Sequence, residues 1–293
     1  YVQSLSSSSL FHVDRISLYD DSEFLFISPA AIKGLEIEPL IKSIDKTHTA
    51  SGKRLLKEWI FHPLKDIEQI NERLSAVGIL TENKSIQDAL ISTLKKMNDI
   101  EKILSRLSSG YLNPRDLLAL KNSIGLIPEI EKILQPISTL NRYFVVSDIS
   151  DLRNFLENTI NSDMPLSHPE GEIIKDGFDK ELDLYREIKK TSSKWLKNYQ
   201  AEEIKKTGIS SLKIGYTQVF GYYIEISKAN LHLVPDTYIR KQTLVNAERF
   251  VTPQLKEFEE KILSAQQHVY EIESRLLKQV IAKILEFSSR IHQ

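Results

Sequence analysis

The fifteen residues from Leu212 to Ile226, LKIGYTQVFGYYIEI, decide the fold of this chain. β-Branched and aromatic residues with strand spacing dominate both halves, and Val219-Phe220-Gly221 between the halves suits a turn. On both sides of this stretch, apolar residues recur every three or four positions, as they do on one face of a helix. We therefore predict a small antiparallel β unit inserted between two long helices.

The two long helices are predicted to run from about Ile173 to about Lys205 and from Leu255 to about Ile291. Thr252 is suited to cap the second helix, and Pro253 is suited to its first turn. Residues 240–251 alternate more loosely and predict one further strand. Helices of roughly 30 residues would each extend about 45 Å, because the rise is about 1.5 Å per residue. A sheet at the end of such helices can reach a distant partner, and it implies no pocket for chemistry.

The sequence before this region predicts a helical bundle. Helical periodicity extends over residues 35–160, and Pro63, Pro128 and Pro136 mark places where helices end. The fold class that we predict is therefore mainly α, with a helical core, two long helices and a small inserted antiparallel β unit.

The composition excludes several classes of protein. The chain has no cysteine, which removes disulfide frameworks, zinc knuckles, iron–sulfur sites and thiol nucleophiles, and which suits a reducing cytoplasm. No apolar run approaches the roughly 18 residues of a membrane helix. The seven histidines lack metal-ligand spacing, and the sequence contains neither a phosphate loop nor an activated nucleophile. We therefore expect no catalytic residue, no metal, no cofactor and no membrane contact in this chain.

A series of ordered blocks resembles the MutS family of DNA mismatch repair proteins. The first block is SIDKTHTASGKRLLKEWI at residues 43–60, closing on Pro63-Leu64. The later blocks are DIE at 99–101, SRL at 105–107, PRDL at 114–117, GFDKELD at 177–183, GYYIEIS at 221–227 and QTLVNAERF at 242–250. Any one block is weak, and it is their order over nearly the whole chain that carries the resemblance.

The resemblance implies a division of the chain into four parts. Residues 1–34 would end a connector and lead into the core, and residues 35–192 would form the first part of a core and lever domain. Residues 193–252 would be an inserted β-rich clamp, and residues 253–293 would be the lever helix that returns to the core. In this family the lever helices carry the clamp, which closes over DNA. The name "clamp" denotes residues 193–252 from here on.

The resemblance also implies partners and cofactors. Double-stranded DNA, held by its backbone, is the expected partner. A full-length relative has a mismatch-reading domain before this region and an ATPase domain after it, so we expect ATP and Mg²⁺ to act outside this chain. A homodimer formed through the ATPase domain, a MutL-type repair partner and a nucleoid-associated place in the bacterial cytoplasm follow from the same resemblance. The missing initiator methionine leads us to expect a piece of a longer protein.

The candidate DNA contacts are cations and one neutral donor of the clamp. The net charge of the chain is −1, so a nucleic acid must meet a local basic surface. Residues 201–252 carry seven cations and five acids, which suits a handful of phosphate contacts that position the protein without reading sequence. The residues predicted to make them are Lys205, Lys206, Lys213, Arg240, Lys241, Asn246 and Arg249.

Several alternatives stay open at this point. Tyr216, Phe220, Tyr222 and Tyr223 could stack on nucleotides, although such residues more often fill the core of a small sheet. The polar block 45–54 is either a capped helix start with a buried ion pair or a coupling element between domains. The long helices could form a scaffold that pairs only with other proteins, and a relative that acts on recombination junctions would carry similar blocks.

Overall fold

The computed structural model describes residues 23–111, 113–165 and 171–292. Most of the predicted lead-in, residues 1–22, lies outside the described residues. The chain divides into two compact units, one formed by residues 1–175 with 278–293 and the other by residues 176–277.

The first unit is built from helices, as the periodicity predicts. It contains α1 (Pro29–Gly34), α2 (Ile37–Ile44), α3 (Ala50–Phe61), α4 (Ile67–Glu82), α5 (Lys84–Leu94), α6 (Ile100–Ser108), α7 (Pro114–Gly125), α8 (Ile127–Leu134), a 3-10 turn (Arg142–Phe144) and α9 (Ser150–Thr159). Its centre is the α7 face formed by Leu117, Leu120 and Ile124, which are fully buried. Leu152 and Leu156 of α9 are equally buried, because their i, i+4 spacing keeps both on one helix face.

The polar block at 45–54 starts a capped helix, but its ion pair is not buried. The Thr49 hydroxyl accepts a hydrogen bond from the Gly52 N–H at 3.0 Å and so caps α3. Arg54 pairs with Asp99 and Glu101, both at 2.7 Å, and its own side chain is 46% exposed. The predicted burial was wrong, because the side chains of the partners are also open to solvent: Asp99 is 23% exposed and Glu101 is 42% exposed.

The second unit begins with the long helix α10 (Lys180–Thr207). The Asp179 carboxylate accepts hydrogen bonds from the N–H groups of Glu181 and Leu182, both at 3.0 Å, and this cap sets the start of the helix. The predicted start near Ile173 was wrong, because Ile174 forms an antiparallel bridge with Ile160.

The inserted β unit is a four-stranded antiparallel sheet. Its strands are β1 (Lys213–Thr217), β2 (Gly221–Ser227), β3 (Ile239–Thr243) and β4 (Ala247–Val251), and their order is β1-β2-β4-β3. A 3-10 helix, Lys228–Leu233, connects β2 to β3. The single strand predicted at 240–251 is in fact a hairpin, closed by a hydrogen bond from the Leu244 N–H to the Ala247 carbonyl at 2.8 Å.

The second long helix is α11 (Pro253–Glu286), followed by the short α12 (Ser288–His292). The Thr252 hydroxyl accepts the Leu255 N–H at 3.1 Å, which confirms the predicted cap. The helix ends at Glu286, short of the predicted end near Ile291, because a turn at Phe287 interrupts it.

The apolar face of the sheet packs on the sheet-bearing ends of both long helices. Ile224, Ile226 and Phe250 come from the sheet, Tyr199 from α10 and Leu255 from α11, and all are buried in one cluster. The clamp therefore has its own small core. Its boundaries at 193 and 252 stay a prediction, since position 193 lies inside α10 and position 252 caps α11.

Candidate nucleic-acid interface

The other face of the sheet is polar, and the strand register sets its order. Lys213 pairs with Glu225, Glu225 pairs with Arg249, and Arg249 pairs with Gln242. Directly paired residues of antiparallel strands project to the same side, so these four side chains form one row across the sheet. The row has cations at two positions and a single acid between them.

Arg249 is held within this row by three neighbours. Its Nε donates to the Glu225 carboxylate at 3.0 Å, and its Nη1 donates to the Gln242 side-chain oxygen at 2.9 Å. Its guanidinium also lies 4.2 Å from the centre of the Tyr223 ring. With only 20% of its side chain exposed, Arg249 stabilises the sheet and is poorly placed to reach a phosphate.

Two further predicted cations have acidic partners. Lys206 lies 3.6 Å from Glu203 on α10, and Arg240 lies 3.5 Å from Glu248 on the neighbouring strand. Both cations are more than half exposed, whereas both acids are almost buried. Each acid therefore lies beside the charged group of its cation, which still has more than half of its side chain open to solvent.

The other predicted contacts project freely. Lys205, Lys213 and Lys241 are exposed, and none has an ion-pair partner within the described residues. Asn246 is exposed in the β3–β4 turn, where its carbonyl accepts the Lys228 N–H at 3.1 Å. The register places Lys213 and this turn toward the same end of the sheet, because Lys213 pairs with Glu225 and Ala247 pairs with Ser227.

Internal pairing changes the charge that this region presents. Glu203, Glu225 and Glu248 are taken up by interactions inside the clamp. The acids that remain exposed between residues 201 and 252 are Glu202 and Asp236. Their two negative charges compare with the positive charges of the exposed lysines named above and of Lys228, which was not predicted as a contact. The small positive excess is thus carried by lysines on the surface.

The aromatic residues divide between the core and the surface. Tyr223 is buried over Gly215, where an added Cβ would lie 2.6 Å from the tyrosine ring. Tyr222 lies 6.1 Å from Phe258 of α11, so it too is a packing residue. Tyr216 is 54% exposed and Phe220 is 37% exposed. Nucleotide stacking is therefore excluded by burial for Tyr223 only.

A buried hydrogen-bonded group joins the sheet to both long helices. The Tyr238 hydroxyl donates to the Glu203 carboxylate, and the Tyr199 hydroxyl lies 2.6 Å from the Thr252 hydroxyl. Burial, strengthened by the Glu203 carboxylate, raises the pKa of Tyr238 far above its usual value. Tyr238 therefore stays a neutral donor, and the group holds the base of the sheet in place.

The described residues offer little for other kinds of site. They contain no group of three or more histidine, aspartate or glutamate side chains placed to hold a metal ion. Among the described helices, none combines the length and the apolarity that crossing a lipid bilayer requires.

Comparison with known proteins decides the family. The family model for MutS domain III matches residues 30–293. The chain belongs to the MutS domain III family. Proteins named DNA mismatch repair protein MutS match it at 37% identity in Symbiobacterium thermophilum, over 100% of this chain and 35% of that protein. In Thermotoga sp. (strain RQ2) the identity is 40% over 91% of this chain and 34% of that protein, and in Alkaliphilus metalliredigens it is 39% over 100% and 35%.

The MutS-family chain spans about a third of the length of these relatives. In the family's terms it is the core and lever region, with a small sheet between the two long helices. The resemblance found in the sequence blocks is therefore confirmed, and so is the predicted fold class.

Proposed function

We propose that this chain binds double-stranded DNA through its clamp, by the phosphate backbone and without reading sequence, as part of a mismatch repair protein. The observation that carries the proposal is a set of exposed clamp cations without ion-pair partners among the described residues, Lys205, Lys213 and Lys241. Of the five acids between residues 201 and 252, Glu203, Glu225 and Glu248 pair with other cations of the clamp, and Glu202 and Asp236 remain exposed. Lysine ammonium groups on flexible stems bind phosphates in a way that is indifferent to base sequence.

The rest of the repair activity is assigned to parts of the protein outside this chain. We propose that ATP and Mg²⁺ act there, since the chain contains no phosphate loop and no catalytic constellation. A homodimer, a MutL-type partner and a nucleoid-associated position in the bacterial cytoplasm belong to the same proposal. Their support is family membership and the name that the relatives share.

The test is reversal of two clamp charges, Lys213→Glu with Lys241→Glu, in the complete protein. We expect weaker binding to matched and mismatched duplexes by about the same factor. The log–log slope of affinity against salt should become shallower by about one unit for each lysine–phosphate interaction removed, because these side chains release condensed counterions.

The matched control is Lys95→Glu with Lys96→Glu, which makes the same charge change on exposed lysines after α5. This control should leave the salt slope unchanged. If the clamp reversal also leaves affinity and slope unchanged, the clamp does not bind DNA, and the long helices are better explained as a protein-pairing scaffold.

A further inference from the structure

One exposed face of α10 carries lysines over most of the length that leads to the sheet, residues 190–205. Its exposed positions repeat every three or four residues, which places them on a single side of the helix. They are Lys190, Ser193, Lys194, Lys197, Ala201 and Lys205. This set is called the lysine face, and only Lys205 of it was predicted to bind DNA.

The lysine face lies in a segment without acids as far as Ala201, and Glu202 and Glu203 precede its last member, Lys205. Residues 188–201 include four lysines and no aspartate or glutamate. At the same level the facing helix α11 carries acids as well as lysines. Lys256 pairs with Glu260 at 4.0 Å, and Glu257 and Glu259 lie between them in sequence. The two levels correspond because Trp195 of α10 stacks on Phe258 of α11, with ring centres 3.6 Å apart.

This charge pattern works against the helix that carries it. Lysines at i, i+4 and i, i+3, such as 190 with 194 and 194 with 197, repel one another, whereas interleaved glutamates would stabilise the helix. Asp176 offsets Lys190 at 3.1 Å. Lys194, Lys197 and Lys205 have no acidic partner in the part of the chain that the structure describes. A locally unfavourable pattern of this kind indicates an external anion.

The dimensions of the lysine face fit a rigid polyanion. At about 1.5 Å per residue, Lys190 and Lys205 are about 22 Å apart along the helix, which corresponds to roughly six base pairs of duplex DNA at about 3.4 Å each. Ser193 and Ala201 between the lysines are small, so they leave the phosphates free to approach. The face also ends at Lys205, which belongs to the proposed DNA-binding residues of the clamp.

The same residues argue against a protein partner. A stable protein interface has an apolar or aromatic centre, which is desolvated when the partner binds. Within the lysine face Ala201 is the one apolar side chain, and apolar area lies only in the adjoining groove that Lys194 lines with Trp195 and Phe258, so an acidic protein on the face would bury little apolar area.

We propose that the lysine face, which lies almost entirely on the helical part of the clamp, is a second phosphate-binding surface, along which duplex DNA lies for about six base pairs as it leaves the sheet. This inference rests on the proposed DNA binding by the clamp. It assigns α10 a direct part in holding DNA in addition to carrying the sheet.

The test is Lys194→Gln with Lys197→Gln in the complete protein, measured with a duplex long enough to extend past the sheet of the clamp. Removal of two lysine–phosphate interactions should lower the salt slope by about 1.8 units and weaken binding at least about tenfold at roughly 0.1 M salt. Glutamine keeps helix propensity and relieves the repulsion between the lysines, so the urea midpoint should not fall. The matched control is Lys256→Gln with Lys261→Gln, which removes the same charge from α11 at the same level and should have little effect.

The outcomes separate this inference from the proposed function. If the reversal of Lys213 and Lys241 weakens binding while the lysine-face variant behaves as the wild type, the sheet of the clamp binds DNA and the lysine face does not. If neither variant changes binding, the proposed function itself is wrong. If the α11 control weakens binding as much as the lysine-face variant, the effect is one of net charge and the assignment to α10 fails. A photo-crosslinker attached through Lys197→Cys should label duplex DNA, and labelling of protein alone would show an acidic protein partner instead.

Discussion

Arg186 shows how much one residue contributes to the second unit. Its side chain is 8% exposed and donates to the Glu273 carboxylate at 3.1 Å, which joins α10 to α11 through a nearly dry ion pair. It also donates to Asp176 at 2.9 Å. A buried ion pair contributes little net stability compared with apolar packing, but it tolerates only one register of the two helices.

At the residue scale we predict a large asymmetry between single and double replacement of this pair. Arg186→Met leaves Glu273 buried without its cation and should destabilise the second unit by about 3–5 kcal/mol. Arg186→Met with Glu273→Met should recover most of that stability, because the buried charge is gone as well. Urea unfolding followed by tryptophan fluorescence in a Trp59→Phe background, where Trp195 is the only tryptophan of this chain, measures both effects. A double variant as unstable as the single one would show that packing of the arginine stem, and not its charge, is what matters.

Each long helix is capped at its start by the side chain of the residue that precedes it. Asp179 and Thr252 each supply the side-chain oxygen that caps a helix start, and both starts lie where the chain changes direction. Thr252 has a second role, because its hydroxyl also meets the buried Tyr199 hydroxyl at 2.6 Å. The cap of α11 is therefore coupled to the packing of α10.

At the element scale we predict that Thr252→Ala costs more than an ordinary cap. Removal of the cap should cost about 1 kcal/mol, and loss of the Thr252 partner of the buried Tyr199 hydroxyl should add about 1–3 kcal/mol. In a Tyr199→Phe background only the cap would be removed, so the same substitution should cost about 1 kcal/mol. The double-mutant cycle, measured by urea unfolding, isolates the coupling. Equal costs in both backgrounds would mean that the two hydroxyls are not coupled.

At the scale of the whole molecule, the described residues of the first unit and of the clamp bury separate sets of side chains, and the first unit also contains the cluster of Ala76, Leu134, Ile137 and Phe144. The first unit is centred on α7 and α9, and the clamp has its own cluster between the sheet and the ends of α10 and α11. The first unit should therefore fold without the clamp.

We predict that replacing residues 193–252 by a short glycine–serine loop leaves the unfolding of the first unit unchanged. The deletion removes Trp195, so Trp59 becomes the only tryptophan of this chain and reports on the first unit. The control Leu120→Ala should lower the free energy of unfolding by about 2–5 kcal/mol, which would show that Trp59 follows this core. A Trp59 transition that moves to lower urea on deletion of the clamp would mean that the inserted region is needed for the core to fold.

Part of the candidate site was visible in the sequence and part was overlooked. The clamp cations could be named from composition and from the resemblance, since they lie in one polar stretch. Lys194 and Lys197 were not predicted because only charges from residue 201 onward were considered. The signal was present, since residues 188–201 contain lysines and no acid.

The sequence by itself determined the features that depend on neighbouring residues. The cap at Thr252, the turn around Val219 and the change from helical to strand periodicity are local, so short-range patterns predict them. The hairpin at 239–251 was not predicted, because its turn at Leu244-Val245-Asn246 lacks glycine and continues the pattern of a strand.

Only the tertiary structure decided which cations are free. Arg249 is engaged by Glu225, which lies 24 positions away in sequence, and by Gln242 on another strand, while Lys213 in the same row has no such partner among the described residues. These pairings follow from strand register, and a shift of one residue would turn each side chain to the opposite face. Composition counts charges, whereas the register of the sheet decides which of them remain available to a phosphate.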